Sequence, residues 1–250
     1  MINLIQENEI AILKLNRPEK RNALHPRMIQ QIKDTVKEIS STGKCKALII
    51  SGEGSAFCAG ADLEYLNSII NYSSIENGKD SESLAEIFLS IYNLDIPTIA
   101  AINGPAIAGG CGLASVCDFI IADAEKAKFG YTEVKIGFIP AIVSIFLVKK
   151  IGEGSAKHLL LSSELIDANE AYRIGLADFI SKKVLDDSIL LAKKLILNSQ
   201  GSYSMTKKMI SNISHMNVKD AVNYCVQLNV ISRSSNNFKE RIKKFLNKQV

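Results

Sequence analysis

Apolar positions along the chain fall into short continuous runs separated by amphipathic stretches, the pattern of buried strands joined by helices. Residues 2–15 alternate about the polar break Glu7-Asn8-Glu9 and predict a β-hairpin. Met28, Ile32, Val36 and Ile39 recur at helical spacing and predict a helix over 27–39. Continuous apolar runs at 47–50, 98–102 and 119–122 predict buried strands, with a further extended piece at 128–129. Residues 63–70 and 84–92 read as helices, and the polar stretch between Asn71 and Ser83 as the loop joining them. Beyond Pro140 the balance shifts, with helices expected over 141–150, 155–161, 168–175 and 187–199 and through much of the chain after Ser202. The pattern predicts an α/β core over 1–190 followed by a mainly helical region over 191–250.

Two turns carry candidate chemistry: Phe57-Cys58-Ala59-Gly60-Ala61-Asp62-Leu63 and Pro105-Ala106-Ile107-Ala108-Gly109-Gly110-Cys111-Gly112. Each joins an expected buried strand to an expected helix. Two such turns can aim two backbone N–H groups at one oxygen, stabilising an enolate or a tetrahedral oxyanion without reorganisation. That reading makes the chain an enzyme acting on a carbonyl. Tight packing of a helix on a strand uses the same glycines and alanines, and for either turn alone it is the competing explanation.

Composition narrows the choice. At 250 residues with 47% hydrophobic content the chain can bury a sizeable core, and disorder is excluded. A net charge of +4 is too small to make nucleic acid the main partner, while an anionic small molecule fits it. No basic, apolar leader opens the sequence and no uncharged run is long enough to span a bilayer, so a cytoplasmic protein is expected. The five cysteines lack paired metal-ligand spacing, so no metal is expected and reduced packing residues are. Cys111, inside the second turn, is the exception to weigh as a nucleophile, although His25, His158 and His215 carry no motif marking a base.

Taken in order, Asn16-Arg17-Pro18-Glu19-Lys20-Arg21-Asn22-Ala23-Leu24, the two glycine turns, Cys117-Asp118, Phe129-Gly130-Tyr131-Thr132-Glu133 and Ile136-Gly137-Phe138-Ile139-Pro140 resemble the crotonase superfamily of enoyl-CoA hydratases and isomerases. The resemblance runs through nearly the whole chain. It implies a crotonase-like spiral of ββα repeats with a C-terminal helical region, assembled as a homotrimer or a dimer of trimers. It implies an acyl-CoA substrate, with CoA carried as part of that substrate and no further cofactor. Ala61 and Gly109 would supply the oxyanion-hole amides. Ala23 and Leu24 would form one wall for CoA, and Ala59, Ala61, Asp62 and Leu63 the other, with Gly109, Gly110 and Gly112 lining the thioester. Phe245 and Lys248 resemble an aromatic and a basic residue that reach CoA from a neighbouring subunit. Alternatively, with Lys239, Arg241, Lys243 and Lys244, that segment is the solvated face of an amphipathic helix.

Hydratases of this family typically use two glutamates. The second corresponds to Glu133, but the first falls on Gly112. Glu133 is expected against an apolar wall containing Phe138 and Ile139, which would raise its pKa and suit it to proton transfer. The competing reading has Thr132 and Glu133 merely opening a helix. Asp62, Glu64 and Glu53 are fallback carboxylates, with Asp62 the expected cap of the following helix. One carboxylate suffices for α-to-γ proton transfer, which is isomerase chemistry. Yet the wording from Gly130 to Phe138 and at 140–144 is most similar to sequences grouped with hydratases that also lack the first glutamate, so enoyl-CoA hydratase is placed first and Δ3,Δ2-enoyl-CoA isomerase second. An acyl-CoA hydrolase and a non-catalytic acyl-CoA- or RNA-binding member are the remaining readings.

Overall fold

A computed structural model describes residues 1–247, and the chain divides into two compact units, Met1–Leu195 and a second that begins at Ile196. In the first, β1 (Ile2–Glu7) and β2 (Ile10–Leu15) form the expected antiparallel hairpin, turned at Asn8 with positive φ. The chain then runs through α1 (Pro26–Thr42), β3 (Ala47–Gly52), α2 (Leu63–Ser68), α3 (Ser74–Tyr92), β4 (Thr98–Ile102), β5 (Ala106–Ile107), α4 (Gly109–Ser115), β6 (Phe119–Asp123) and β7 (Lys128–Gly130). It continues through α5 (Ala141–Ser162), β8 (Ile166–Asp167), α6 (Ala168–Arg173), β9 (Phe179–Ser181) and α7 (Val184–Leu195). A six-stranded sheet has the order β1-β2-β3-β4-β6-β9, parallel from β2 onward, and a second sheet has the order β5-β7-β8. Every residue of β3 and β4 is buried, as a parallel sheet covered on both faces requires.

The strands follow the apolar runs. So does α1, which buries Met28, Ile29, Ile32, Val36 and Ile39, each contributing about 1.5–3 kcal/mol by leaving water. Its start is set by Pro26 and by the His25 ring, which accepts a hydrogen bond from the Arg27 N–H, and its end by Gly43 in the left-handed region. The expected loop over 71–83 is instead mostly the first half of α3, opened by a full capping box between Ser73 and Glu76. Most of its polar residues lie on exposed positions, while Asp80 is half-buried and accepts from the Tyr65 hydroxyl at 2.6 Å. Likewise the two helices expected after Pro140 are one, α5, interrupted at Gly152, where φ is 76°. The boundary placed at residue 190 falls inside α7, and the division between units lies after Leu195.

The second unit contains α8 (Gln200–Ile213), α9 (Val218–Ser234) and α10 (Asn236–Asn247). Ser199 and Asn217 cap α8 and α9, and Asn212 Nδ2 donates to the Tyr224 hydroxyl at 2.9 Å to tie them together. None of the residues in these three helices is fully buried. Among the described residues no helix is long and apolar enough to cross a membrane.

One loop shapes the future site. Residues 18–20 form a short 3₁₀ turn, after which Arg21 and Asn22 both adopt positive φ. Asn22 is wholly buried: its Oδ1 accepts from the Arg17 N–H at 2.8 Å and its Nδ2 donates to the carbonyls of Glu53 and Ala56, each at 2.9 Å. Asparagine combines tolerance of the left-handed region with the reach to satisfy three backbone groups. Asn22→Ala should therefore cost about 3 kcal/mol, because it strands buried donors and acceptors, seen as a lower urea midpoint at unchanged m-value.

Candidate active site

The two glycine turns are stitched to each other and to the loop before α1. Leu24 donates to the Gly60 carbonyl at 2.7 Å, and Asp62 donates back to the Leu24 carbonyl at 3.0 Å. In this parallel bridge the N–H of Ala61, between the two, faces away from Leu24. The Ile107 N–H donates to the Cys58 carbonyl at 2.9 Å, and the Ala108 N–H to the Gly130 carbonyl at 2.7 Å. Ala108 holds φ 50°, ψ −119° with no side-chain cap, so the chain swings sharply into Gly109.

Close approach explains the glycines. A β-carbon on Gly110 would lie 2.1 Å from the Cys58 carbonyl oxygen, and one on Gly60 2.9 Å from the Ile107 carbonyl oxygen and 3.4 Å from the Gly109 nitrogen. A β-carbon on Gly109 would stand 4.0 Å from the Ala61 nitrogen. The amides of Ala61 and Gly109 are thus neighbours, Ala61 exposed and Gly109 half-buried. Gly109 is the first residue of α4, where a helix leaves its N–H without an intrahelical partner. Such a pair can donate to one carbonyl oxygen.

Glu133 opens a 3₁₀ turn after β7 and Tyr131, whose buried hydroxyl pairs with Ser115 Oγ at 3.1 Å. Its side chain is buried, 8% exposed, and Oε2 has no hydrogen-bond partner. Burial pushes its pKa up, against a smaller opposing effect of its own backbone N–H. Phe138 and Ile139, expected as its apolar wall, are 58% and 74% exposed. The 3₁₀ turn ends at Gly137 in the left-handed region, and both residues follow that reversal.

The other carboxylates near the turns are engaged. Asp62 caps α2 through the Glu64 and Tyr65 N–H groups at 2.9 and 3.2 Å and pairs with Arg17 at 2.7 Å. Burial alone would raise its pKa, but the guanidinium and the two amides hold it below the usual carboxylate range. Glu64 pairs with Lys20, and Glu53 with Lys14 at 3.0 Å. At Gly112 a β-carbon would lie 2.4 Å from Val143 Cγ1 and 3.0 Å from the Phe88 ring, so the space is apolar and filled. Phe88 in turn packs edge-on against Phe146, which touches Tyr92.

Cys111 does not fit a nucleophile: burial drives its thiol pKa far up, and no histidine serves it. His25 caps α1, His158 lies 3.4 Å from Glu164, and His215 is exposed beyond α8. Cys58 is likewise pushed up to about 12 by burial. Ala23 and Leu24 are buried at the seam with Gly60, Ala59 is half-buried, and Leu63 is exposed at the start of α2. Within the first unit the fold therefore gathers Ala23, Leu24, residues 59–63 and residues 109–112, while the bond between Ala108 and Gly130 ties in the strand leading to Glu133. Phe245 is an exposed residue of the second unit, and Lys248 lies outside the described residues. Sequence reasoning missed Arg17 as the partner of Asp62, and the filling of the Gly112 site by Val143 and Phe88. The asparagine and arginine in the 16–24 motif were the available signal for the first; nothing local signals the second.

Adjacent amides over an α/β core, with one buried carboxyl oxygen unpartnered and tied to the same turn, make a candidate site for activating a carbonyl. The chain belongs to the enoyl-CoA hydratase/isomerase family, whose model matches residues 5–250. A Thermus thermophilus protein bearing an enoyl-CoA hydratase name is 37% identical over 247 residues, covering 98% of this chain and 97% of that one. The crotonyl-CoA hydratase of Syntrophomonas wolfei is 36% identical over 210 residues, covering 82% and 79%. A crystal structure of an enoyl-CoA hydratase from Polaromonas sp. JS666 superposes with a TM-score of 0.93 at 26% identity, covering 99% of this chain and 97% of that one. The crotonase-like fold is thereby established.

Asp62→Asn should keep the cap but lose the ion pair. Because the folded-state pKa is lowered, the pair stabilises above the ordinary aspartate pKa and its contribution fades as pH falls through the lowered value. The variant should be about 2 kcal/mol less stable at pH 7, with the gap to the parent closing in strong acid, as read from denaturant titrations at several pH values.

Proposed function

We propose that this protein is an enoyl-CoA hydratase, and one observation carries the reading: a buried carboxyl oxygen of Glu133 with no partner, on the 3₁₀ turn that follows the strand bonded to the turn presenting the Gly109 amide. The thioester oxygen accepts from the N–H groups of Ala61 and Gly109. Glu133, ionised, takes a proton from water as that water adds to the β-carbon. The charge moves onto the thioester oxygen as an enolate, held by the two amides, and the enolate collapses as the α-carbon takes a proton from Glu133. The electron flow needs no group beyond the substrate, whose CoA is its own handle. Names of the relatives support hydration, the crotonyl-CoA hydratase among them.

Ala23, Leu24, Ala59, Asp62 and Leu63 flank these amides and are assigned in this reading to the walls for CoA, with Gly110 and Gly112 beneath the thioester. Assembly as a homotrimer or a dimer of trimers is part of the same proposal, supported by the exposed apolar rows Val218, Val222, Val226 and Val230 on α9 and Phe238, Ile242 and Phe245 on α10. Phe245 and Lys248 would reach a neighbour's CoA, and the cytoplasm is the assigned compartment.

A specific observation favours isomerisation as the second reading. The Gly112 site is filled by Val143 and Phe88, leaving Glu133, among the described carboxylates near the turns, as the one with an unpartnered buried oxygen, and one carboxylate suffices to carry a proton from the α- to the γ-carbon. Crotonyl-CoA and a 3-enoyl-CoA separate the two. Loss of conjugation with a gain of water marks the hydratase, whereas a gain of conjugation at constant mass marks the isomerase.

Glu133→Gln should lower kcat by a factor on the order of 10² to 10⁴, the usual contribution of a positioned proton-transfer group. In the parent, kcat/KM should fall on the acid side through a pKa above the ordinary glutamate value of 4.5, since the ionised form takes the proton from water. Stability should move the opposite way. A carboxyl whose folded pKa is raised loses stability as pH rises through it, so the glutamine variant should melt no lower than the parent at pH 7, with no advantage below the unfolded pKa. Full turnover by the folded variant would remove Glu133 from the mechanism.

A further inference from the structure

The groups assigned above lie on two separate segments, β5 running into Gly109 and β7 running into Glu133, and something must hold them in register. Ala106 and Gly130 each stand three residues before the reacting group. The side chain between them is Cys111. Its Sγ donates to the Ala106 carbonyl at 2.8 Å and accepts from the Gly130 N–H at 3.3 Å, with the Gly130 carbonyl 3.6 Å away. The thiol is 1% exposed. The β5–β7 pairing itself is only two residues long, Ala106 with Phe129 and Ile107 with Gly130, followed by the Ala108-to-Gly130 hydrogen bond. Ladders this short hold register weakly, because a slip sacrifices few bonds.

From this bridging geometry we infer that Cys111 is a positioning residue: its thiol locks the Gly109 amide and Glu133 into one reacting arrangement. The inference rests on the reading of Ala61, Gly109 and Glu133 as the reacting groups. The thiol touches no substrate atom in it. Burial keeps the sulfur protonated, so it remains a donor to Ala106 across the working pH range. Serine can reproduce both bonds with a slightly shorter reach. Alanine and valine remove the donor and the acceptor, and valine fills the space.

The experiment compares Cys111→Ala, Cys111→Val and Cys111→Ser with the parent in two readouts. The first is kcat and KM for crotonyl-CoA. The second is the infrared carbonyl stretch of bound butyryl-CoA labelled with ¹³C at the thioester carbon, a saturated ligand that reports amide donation without reacting. Alanine and valine variants that melt near the parent should lose about tenfold or more in kcat, with KM within about twofold, because misplacing a donor by a fraction of an ångström weakens the transition state more than the ground state. Their carbonyl stretch should move back toward the free ligand, and serine should restore both readouts.

Parent-like kcat and stretch in Cys111→Val would overturn the assignment. So would a loss in all three variants that tracks melting temperature, since packing alone then explains it. A parent protein that shifts the carbonyl yet leaves crotonyl-CoA unchanged would defeat the hydratase reading alone, and the stretch in Cys111→Val would still decide the role of Cys111.

Discussion

The backbone of one turn presses directly on the backbone of the other, and most of the site depends on that contact. The Cys58 carbonyl occupies the space where residue 110 would carry a β-carbon, and the Ile107 carbonyl does the same for residue 60. Backbone oxygen cannot yield as a side chain does, so only glycine fits at these two points. With the turns in contact, the amides of Ala61 and Gly109 become neighbours. Ala108, held at positive φ without being glycine, stores strain that its bond to Gly130 and the bridge from Ile107 to Cys58 compensate.

Charge is distributed around this contact so that one carboxyl is left unengaged. Asp62 is consumed by Arg17 and by the cap of α2, Glu64 by Lys20 and Glu53 by Lys14. Glu133 receives burial without a partner for Oε2, the combination that raises a carboxyl pKa toward working pH. Val143 and Phe88 fill the space beside Gly112, the position onto which the family resemblance maps a first glutamate. The proposed site is thus asymmetric, with its unengaged polar groups at Glu133 and the two amides.

Legibility in the sequence followed the range of the interactions. The strands at 47–52 and 98–102 could be read because burial on both faces demands unbroken apolar runs, and α1 because its apolar positions recur at helical spacing. The first half of α3 went unread since its exposed residues gave no apolar stripe, although Ser73 and Glu76 stood at capping-box spacing. Phe138 and Ile139 were apolar enough to suggest a wall, but the reversal at Gly137 leaves them exposed, and composition carries no record of direction.

By itself the sequence determined most of the strands and helices, the two glycine turns and Asp62 as a cap, because each rests on residue identity or short-range spacing, while Glu133 was singled out through the family resemblance. Only the tertiary structure decided which amides meet, which carboxylates are consumed by Arg17, Lys20 and Lys14, and what fills the space at Gly112. Those outcomes are contacts between residues tens of positions apart, and the geometry of such contacts exists only once the sheets and helices have packed.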